Sequence, residues 1–192
     1  MKHHIFFLIF IVLLKISSLY GASINTSKQF QIGLQILETI SFAGSEHLLN
    51  ISYAQEDLSA YIARNLLPQG LVLSIEPNEK LAEKTTLDYS GINNLHIVSM
   101  DAFFFDFRKS LDLILSIFPD DWLKANKSIK EVLGCIAQSL KSGGALYLCL
   151  DIRNANKRAF IMQTLIESSE YEHVCYEHND QEKFYLITAQ KK

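Results

Sequence analysis

The chain has 192 residues, 48% of them hydrophobic and 20% charged, with a formal net charge of -3. This composition is typical of a folded globular protein and excludes a disordered chain. The charge balance gives no electrostatic basis for binding nucleic acid, so we predict no such partner. We also predict no metal site, because the three cysteines, Cys135, Cys149 and Cys175, lack the spacing of metal ligands.

The first 22 residues have the layout of a targeting segment. A polar head, Met1–His4, precedes ten unbroken apolar residues, Ile5–Leu14, and small residues follow up to Ala22. We predict a secretory signal peptide, since a transmembrane helix needs about 20 apolar residues. An uncleaved membrane anchor and a buried helix stay as alternatives. We therefore expect export, to the periplasm or outside the cell, if the segment is cleaved, and otherwise membrane anchoring through this segment alone. Residues 23–192 form one predicted domain.

Beyond this segment, stretches with helical spacing alternate with short apolar runs that are typical of strands. Ser142–Gly144 predicts a turn before the fifth strand, and the polar residues His178–Gln181 predict the connector of a closing hairpin. Helices are predicted at 30–40, 57–67, 77–86, 127–140 and 157–168, and strands at 48–53, 71–76, 95–100, 110–118, 145–150, 172–176 and 183–189.

Strands that alternate with helices predict a parallel sheet covered on both faces. The sequence thus predicts an α/β fold: a doubly wound, mostly parallel seven-stranded sheet with a C-terminal antiparallel hairpin. Ligands of such sheets bind beyond the carboxyl ends of the strands, which directs attention to Glu76 and Asp101. His96 lies inside the third predicted strand, and we expect it to be a packed core histidine.

Several segments resemble motifs of the S-adenosylmethionine-dependent methyltransferases, in the class I branch that includes small-molecule enzymes. The resemblance covers Ser27–Lys192 and implies a Rossmann-like methyltransferase fold. Leu73–Glu76 matches the second strand with its terminal carboxylate, and Val98–Ala102 matches the third strand with an adenine-side Asp. Leu111–Ser116 matches the fourth strand, Leu140–Ala145 the turn into strand five, and Phe184–Ala189 the last strand.

The resemblance also implies a site for S-adenosyl-L-methionine. In that site Glu76 would accept hydrogen bonds from the ribose hydroxyls, and Asp101 with Ala102 would contact the adenine. Taken by itself, Glu76 has an alternative interpretation as a strand-end acid that faces solvent. The implied cofactor-binding residues are Asn50, Ser52 and Ala54 at the methionine end, Glu76 and Pro77 near the ribose, Asp101 and Ala102 near the adenine, and Phe118 as an apolar wall.

The sequence departs from the family pattern in the first loop. The family has an acidic residue followed by three alternating glycines, which permit close approach of the cofactor. Here the same places hold Asn50, Ser52, Ala54 and Glu56, and Glu56 adds a negative charge near the methionine carboxylate. Two functions stay open. One is a methyltransferase for a small-molecule acceptor, with its catalytic residues unassigned; the other is an exported pseudoenzyme that keeps the fold as a binding or interaction module.

A related nucleotide-binding dehydrogenase is a third alternative. The first loop counts equally against it, because a dinucleotide site also uses a glycine-rich turn. The closing hairpin counts against it as well.

Overall fold

The computed structural model describes residues 28–51, 56–100, 107–117, 129–151, 153 and 155–192. The predicted targeting segment therefore lies outside the described residues. The same holds for five of the predicted site residues: Ser52, Ala54, Asp101, Ala102 and Phe118.

The described helices form where helical spacing predicts them. Asn78 begins the third helix as expected of an N-cap, since its Oδ1 accepts the backbone N–H of Leu81 at 3.1 Å. The second helix continues directly into a π-helical turn at Ile62–Leu66. No helix in the described residues is long and apolar enough to cross a membrane. The helices are α1 (Lys28–Leu37), α2 (Glu56–Tyr61), α3 (Glu79–Asp88), α4 (Ile129–Ser139) and α5 (Ala155–Glu167).

The strands of one sheet are β1 (His47–Asn50), β2 (Leu71–Ile75), β3 (Leu95–Val98), β4 (Leu111–Ile117), β5 (Leu140–Asp151), β6 (Tyr171–Asn179) and β7 (Phe184–Lys191). Their order across the sheet is β3-β2-β1-β4-β5-β7-β6. The first five strands are parallel, and β7 is antiparallel to both β5 and β6. The predicted α/β fold, with its closing antiparallel hairpin, is confirmed.

The direction of winding reverses between β1 and β4. The chain moves outward from β1 through β2 to β3, and then returns to place β4 on the other side of β1. A doubly wound sheet opens a crevice above the carboxyl ends of the strands at such a switch point. The carboxyl ends of β1 and β2 are therefore at the position where this kind of fold binds ligands.

The sheet carries an apolar core on each face. Leu48 and Leu49 are both fully buried and point to opposite faces, as expected for a central strand. One core packs against α1 and α2, and the other packs against α4 and α5. On the second face, the buried hydroxyl of Tyr171 donates a hydrogen bond to the backbone oxygen of Leu133 at 2.8 Å, which joins β6 to α4.

Two predicted turns differ from the structure. The turn predicted at Ser142–Gly144 lies inside β5, as an irregularity between the pairs Leu111–Leu140 and Leu113–Ala145. Gly143 has a φ of 80°, a conformation that glycine adopts without a Cβ clash. In the hairpin, His178 and Asn179 belong to β6, because they pair with β7, and the turn itself follows at 180–183.

The expectation for His96 was wrong, because this side chain is exposed. His96 lies in β3, which has β2 as its partner and forms one edge of the sheet. A short edge strand is covered less completely than a central one, and an apolar run in the sequence does not reveal the position of a strand in the sheet.

Candidate cofactor-binding site

Glu76 follows β2 directly and is buried, with 4% of its surface exposed. Its backbone N–H donates to the oxygen of Val98 at 3.1 Å, which continues the pairing between β2 and β3. Its Oε1 accepts the backbone N–H of Asn78 at 2.8 Å, just before α3 begins. This hydrogen bond holds the carboxylate at the strand end. The alternative in which Glu76 is an acid that faces solvent is therefore wrong.

A second carboxyl group lies beside Glu76. Glu56, in the first turn of α2, is partly buried and lies close enough to Glu76 for the charge of Glu76 to act on it. Burial raises the pKa of Glu56, and the negative charge of Glu76 raises it further. A backbone hydrogen bond to Glu56 acts in the opposite direction and is outweighed. At this end of the sheet, two acids meet in a partly desolvated position.

Asn50, the last residue of β1, is fully buried under the same edge. Its Nδ2 donates to the hydroxyl oxygen of Ser59 at 2.8 Å, and that hydroxyl donates to the hydroxyl oxygen of Ser74 at 3.0 Å. Both serines are buried as well. The three side chains join β1, α2 and β2 by hydrogen bonds. This series gives Asn50 a structural contact in addition to the cofactor contact implied by the resemblance.

The end of α3 is tied to the beginning of α2 by one hydrogen bond. The hydroxyl of Tyr89 donates to Oδ1 of Asp57, which lies in the first turn of α2. Burial raises the pKa of Tyr89, and the hydrogen bond to the Asp57 carboxylate adds to this effect. The contact fixes α2, and with it Glu56, relative to α3.

Of the predicted site residues, the structure brings Asn50 and Glu76 to neighbouring strand ends. Asn50 pairs in register with Ser74, so Glu76 lies two residues further along the chain from that pair. Pro77 follows Glu76 and is exposed. The contact between Glu56 and Glu76 and the role of Ser59 were not predicted. A serine within an otherwise apolar stretch is the signal that could have indicated a buried polar contact.

The Glu76 carboxylate fits a group that presents two hydroxyls. An ionised carboxylate has about four acceptor positions. Its hydrogen bond with the N–H of Asn78 uses one of them, which leaves positions for two further donors. A ribose diol supplies such donors. Among the described residues, no group of three or more histidines, cysteines or acids could hold a metal ion.

Comparison with known proteins places this chain in a family. The model of the family described as "Putative methyltransferase" matches residues 38–191, which is most of the chain. A comparison with curated proteins finds no match.

Solved structures with the same fold include a SAM-dependent methyltransferase from Aquifex aeolicus, with 12% identity and a TM-score of 0.69 over 93% of this chain and 97% of that one. The N-methyltransferase NodS from Bradyrhizobium japonicum, in complex with S-adenosyl-l-homocysteine, has 14% identity and a TM-score of 0.65 over 87% and 89%. A SAM-dependent O-methyltransferase from Thermotoga maritima has 17% identity and a TM-score of 0.63 over 84% and 64%.

For three of the structural neighbours the chain spans about two thirds of the neighbour's length or less, between 58% and 66%. At these identities the structures show a shared fold, and the family model shows the relationship. The chain belongs to this methyltransferase family, and it has the class I fold of the solved SAM-dependent methyltransferases.

Proposed function

We propose that the chain is an active S-adenosylmethionine-dependent methyltransferase whose methyl acceptor is a small molecule. The observation that carries the proposal is the buried Glu76 carboxylate at the carboxyl end of β2, held by the N–H of Asn78. Burying a carboxylate costs folding free energy, and a role in binding a ligand diol explains why this position carries one. A buried acid at the switch point of this fold supports cofactor binding over a purely structural role.

In the proposed site, Glu76 binds the ribose and Asn50 lies under the methionine end. The exposed Pro77 lies beside the ribose in this proposal. The contacts of the residues outside the described ranges follow the family resemblance: Ser52 and Ala54 near the methionine, Asp101 and Ala102 near the adenine, and Phe118 as an apolar wall. These assignments are proposals for mutagenesis.

Bound S-adenosylmethionine supplies an electrophilic methyl group on a sulfonium. The protein then has to bring a nucleophile into line with that methyl group, which is a matter of proximity and orientation. A rigidly anchored site suits this role. The hydrogen-bonded series of Asn50, Ser59 and Ser74 fixes α2 on the sheet, and the N–H of Asn78 fixes Glu76.

The test is calorimetric titration of S-adenosylmethionine and S-adenosylhomocysteine into the purified protein and into Glu76→Ala. Loss of hydrogen bonds to a charged group costs about 2–3 kcal/mol, which corresponds to a roughly 30- to 140-fold rise in Kd. The matched control is Glu79→Ala, an exposed acid three residues later in the first turn of α3. We expect its Kd to equal that of the unchanged protein.

A folded protein that binds neither ligand at millimolar concentration would contradict the proposal. The exposed surfaces of the same fold would then be the place to search for a partner, as a pseudoenzyme requires. Thermal unfolding of each variant shows whether a lost signal reflects the site or the fold.

We also propose that residues 1–22 direct export of the protein or anchor it in a membrane. The ten apolar residues Ile5–Leu14 behind a polar head support this proposal. Expression of the full chain, cell fractionation and N-terminal sequencing test it. A mature N-terminus near residue 23 outside the cytosol supports cleavage and export. An intact Met1 on a soluble cytosolic protein contradicts both forms of the proposal.

A further inference from the structure

An arginine and three ring side chains meet between α5 and the closing hairpin. The guanidinium of Arg158, in the first turn of α5, lies 4.2 Å from the ring centroid of Tyr185 and 5.4 Å from that of Tyr176. The imidazole of His178 stacks on Tyr185, with the ring centroids 4.6 Å apart. We call these four side chains the arginine–aromatic cluster.

The cluster lies at the same end of the sheet as the candidate cofactor site. Asn50 in β1 is in register with Leu115 in β4, which is in register with Tyr147 in β5 and then with Thr188 in β7. Because β7 is antiparallel to β5, Tyr185 lies beyond that level, toward the carboxyl ends of the parallel strands. The cluster therefore borders the crevice side of the sheet.

The separation between the cluster and the proposed methionine end follows from the order of the strands. From β1 the order runs through β4 and β5 to β7, which is three strand spacings. Neighbouring strands lie about 4.8 Å apart, so Asn50 and Tyr185 are on strands roughly 14 Å apart. A small molecule that extends over the ends of β4 and β5 can span this distance.

Other cations near this end of the sheet have acidic partners. Arg153 donates two side-chain hydrogen bonds to the carboxylate of Asp151, at 2.9 and 2.8 Å. Nζ of Lys28 lies 3.7 Å from Oε2 of Glu182 in the hairpin turn. In the described part of the chain, the guanidinium of Arg158 contacts two aromatic rings and no carboxylate. Its positive charge is therefore available to a ligand.

A guanidinium held in this way suits one kind of ligand group. It has five N–H donors in a planar fork, which matches a carboxylate through two parallel hydrogen bonds. The contacts with the rings hold the half-buried Arg158 side chain in place. Tyr176 is 55% exposed and offers an apolar ring surface beside the charge. One guanidinium balances one negative charge, which favours a carboxylate over a doubly charged phosphate.

We infer that the arginine–aromatic cluster binds the far end of the methyl acceptor, and that the acceptor is an elongated small molecule with a carboxylate at the end opposite its nucleophile. Arg158 binds the carboxylate, and the exposed ring of Tyr176 packs against the apolar part next to it. The inference rests on the proposed function, since it names the class of acceptor for the same reaction.

The test measures binding of para-hydroxyphenylpropionate and of its uncharged amide to the protein loaded with S-adenosylhomocysteine. Hydrogen bonds to a charged group predict a Kd roughly 10- to 150-fold lower for the carboxylate than for the amide. Arg158→Gln should bind the two probes with similar Kd, and Arg158→Lys, which keeps the charge but loses the fork, should lie between. The matched control is Arg64→Gln, at an exposed arginine in the π-helical turn, and it should keep the full preference.

A second measurement needs no cofactor. The side-chain Nε–H resonance of Arg158, assigned by its loss in Arg158→Gln, should shift when the carboxylate probe is added and stay in place with the amide. Thermal unfolding of the variants separates a binding role of Arg158 from a purely structural contact with the rings. Arg158→Gln that melts at a lower temperature but keeps the preference for the carboxylate would show a structural contact only.

Three further results overturn the inference. With S-adenosylhomocysteine bound, equal affinity of the unchanged protein for the two probes, or no binding of either, removes the acceptor subsite while the proposed function stands. An Arg158 resonance that does not respond to the carboxylate has the same consequence. If the resonance responds and the protein does not bind S-adenosylhomocysteine, the proposed function fails, and the cluster is an anion site with no role in methyl transfer.

Discussion

Buried polar side chains lie directly beneath the candidate site. Asn50, Ser59 and Ser74 are buried and joined in series by hydrogen bonds of 2.8 and 3.0 Å. Ser59→Ala removes the middle member and leaves the amide of Asn50 without this acceptor. An unsatisfied buried polar group costs about 1–3 kcal/mol. We predict a loss of free energy of unfolding of this size, measured by urea denaturation.

The matched control for this substitution is Ser99→Ala, since Ser99 is exposed just after β3. Its effect should stay within about 0.5 kcal/mol, as is usual for a surface position. Equal free energies of unfolding for the two variants would show that the buried serine series contributes nothing to stability.

The raised pKa of Glu56 also has a consequence for stability. A raised pKa means that the folded state binds this proton more tightly than the unfolded state does. The free energy of unfolding therefore falls as the pH rises from the ordinary glutamate value, 4.5, through the folded pKa. Glu56→Gln removes this loss. The variant should melt at a higher temperature than the unchanged protein at pH 7.5, and the difference should shrink near pH 4. A difference that is constant with pH would contradict the raised pKa of Glu56.

At the scale of elements, Asp112 joins three strands at their amino ends. It lies in β4, accepts the N–H of His47 in β1 at 2.9 Å, and accepts both hydrogen bonds of the Lys141 ammonium in β5 at 2.8 Å. Burial alone would raise the pKa of Asp112, but these hydrogen bonds and the charge of Lys141 lower it below its ordinary value. The cluster therefore stabilises the order of the central strands in its ionised form.

Asp112→Asn keeps an acceptor for His47 but loses the ion pair. We predict a loss of about 1 kcal/mol at pH 7, a modest value because the Lys141 side chain is 43% exposed and solvent screens the pair. A lowered pKa contributes stability above the unfolded value of 3.8, and this contribution is lost as the pH falls through the folded value. The two proteins should therefore converge in acid. The control is Asp180→Asn, because the Asp180 side chain is 86% exposed. A stability difference between the unchanged protein and Asp112→Asn that persists in acid would contradict the assigned ion pair.

Two glycines should respond to alanine in opposite directions. Gly134 lies inside α4, and a Cβ added there meets no atom within 4 Å, so Gly134→Ala should stabilise the helix by about 0.5–1 kcal/mol. At Gly70 an added Cβ would lie 2.2 Å from the backbone oxygen of Glu46. Gly70→Ala should destabilise the protein by about 1–3 kcal/mol. Urea midpoints for both variants test the pair, and equal shifts would show that the local packing differs from the structure.

The elements themselves could be predicted from local patterns. The N-cap Asn78 and the apolar runs of the central strands follow from the sequence because neighbouring residues alone decide them. The irregularity within β5 and the exposure of His96 could not be predicted in this way. Both depend on which strand lies alongside, and strand order is a property of the whole sheet.

At the scale of the whole molecule, the winding reverses between β1 and β4, and the paired strands β1 and β2 end beside this switch point. The family resemblance implies that Glu76 binds the cofactor, and its burial agrees with that proposed role. The carboxyl pair could not be predicted, because Glu56 and Glu76 lie on different elements and meet only when α2 packs beside β2. Local patterns thus predicted the elements, and the resemblance indicated the position of the site.

The most direct test of the central claim is a crystal structure of the protein with S-adenosylhomocysteine. We predict the ligand at the carboxyl ends of β1 and β2, with its ribose hydroxyls donating hydrogen bonds to the Glu76 carboxylate. A ligand bound elsewhere would contradict the assigned site. The same holds for well-ordered crystals, grown with excess ligand, that leave this position without ligand density and keep the hydrogen bond between Glu76 and Asn78.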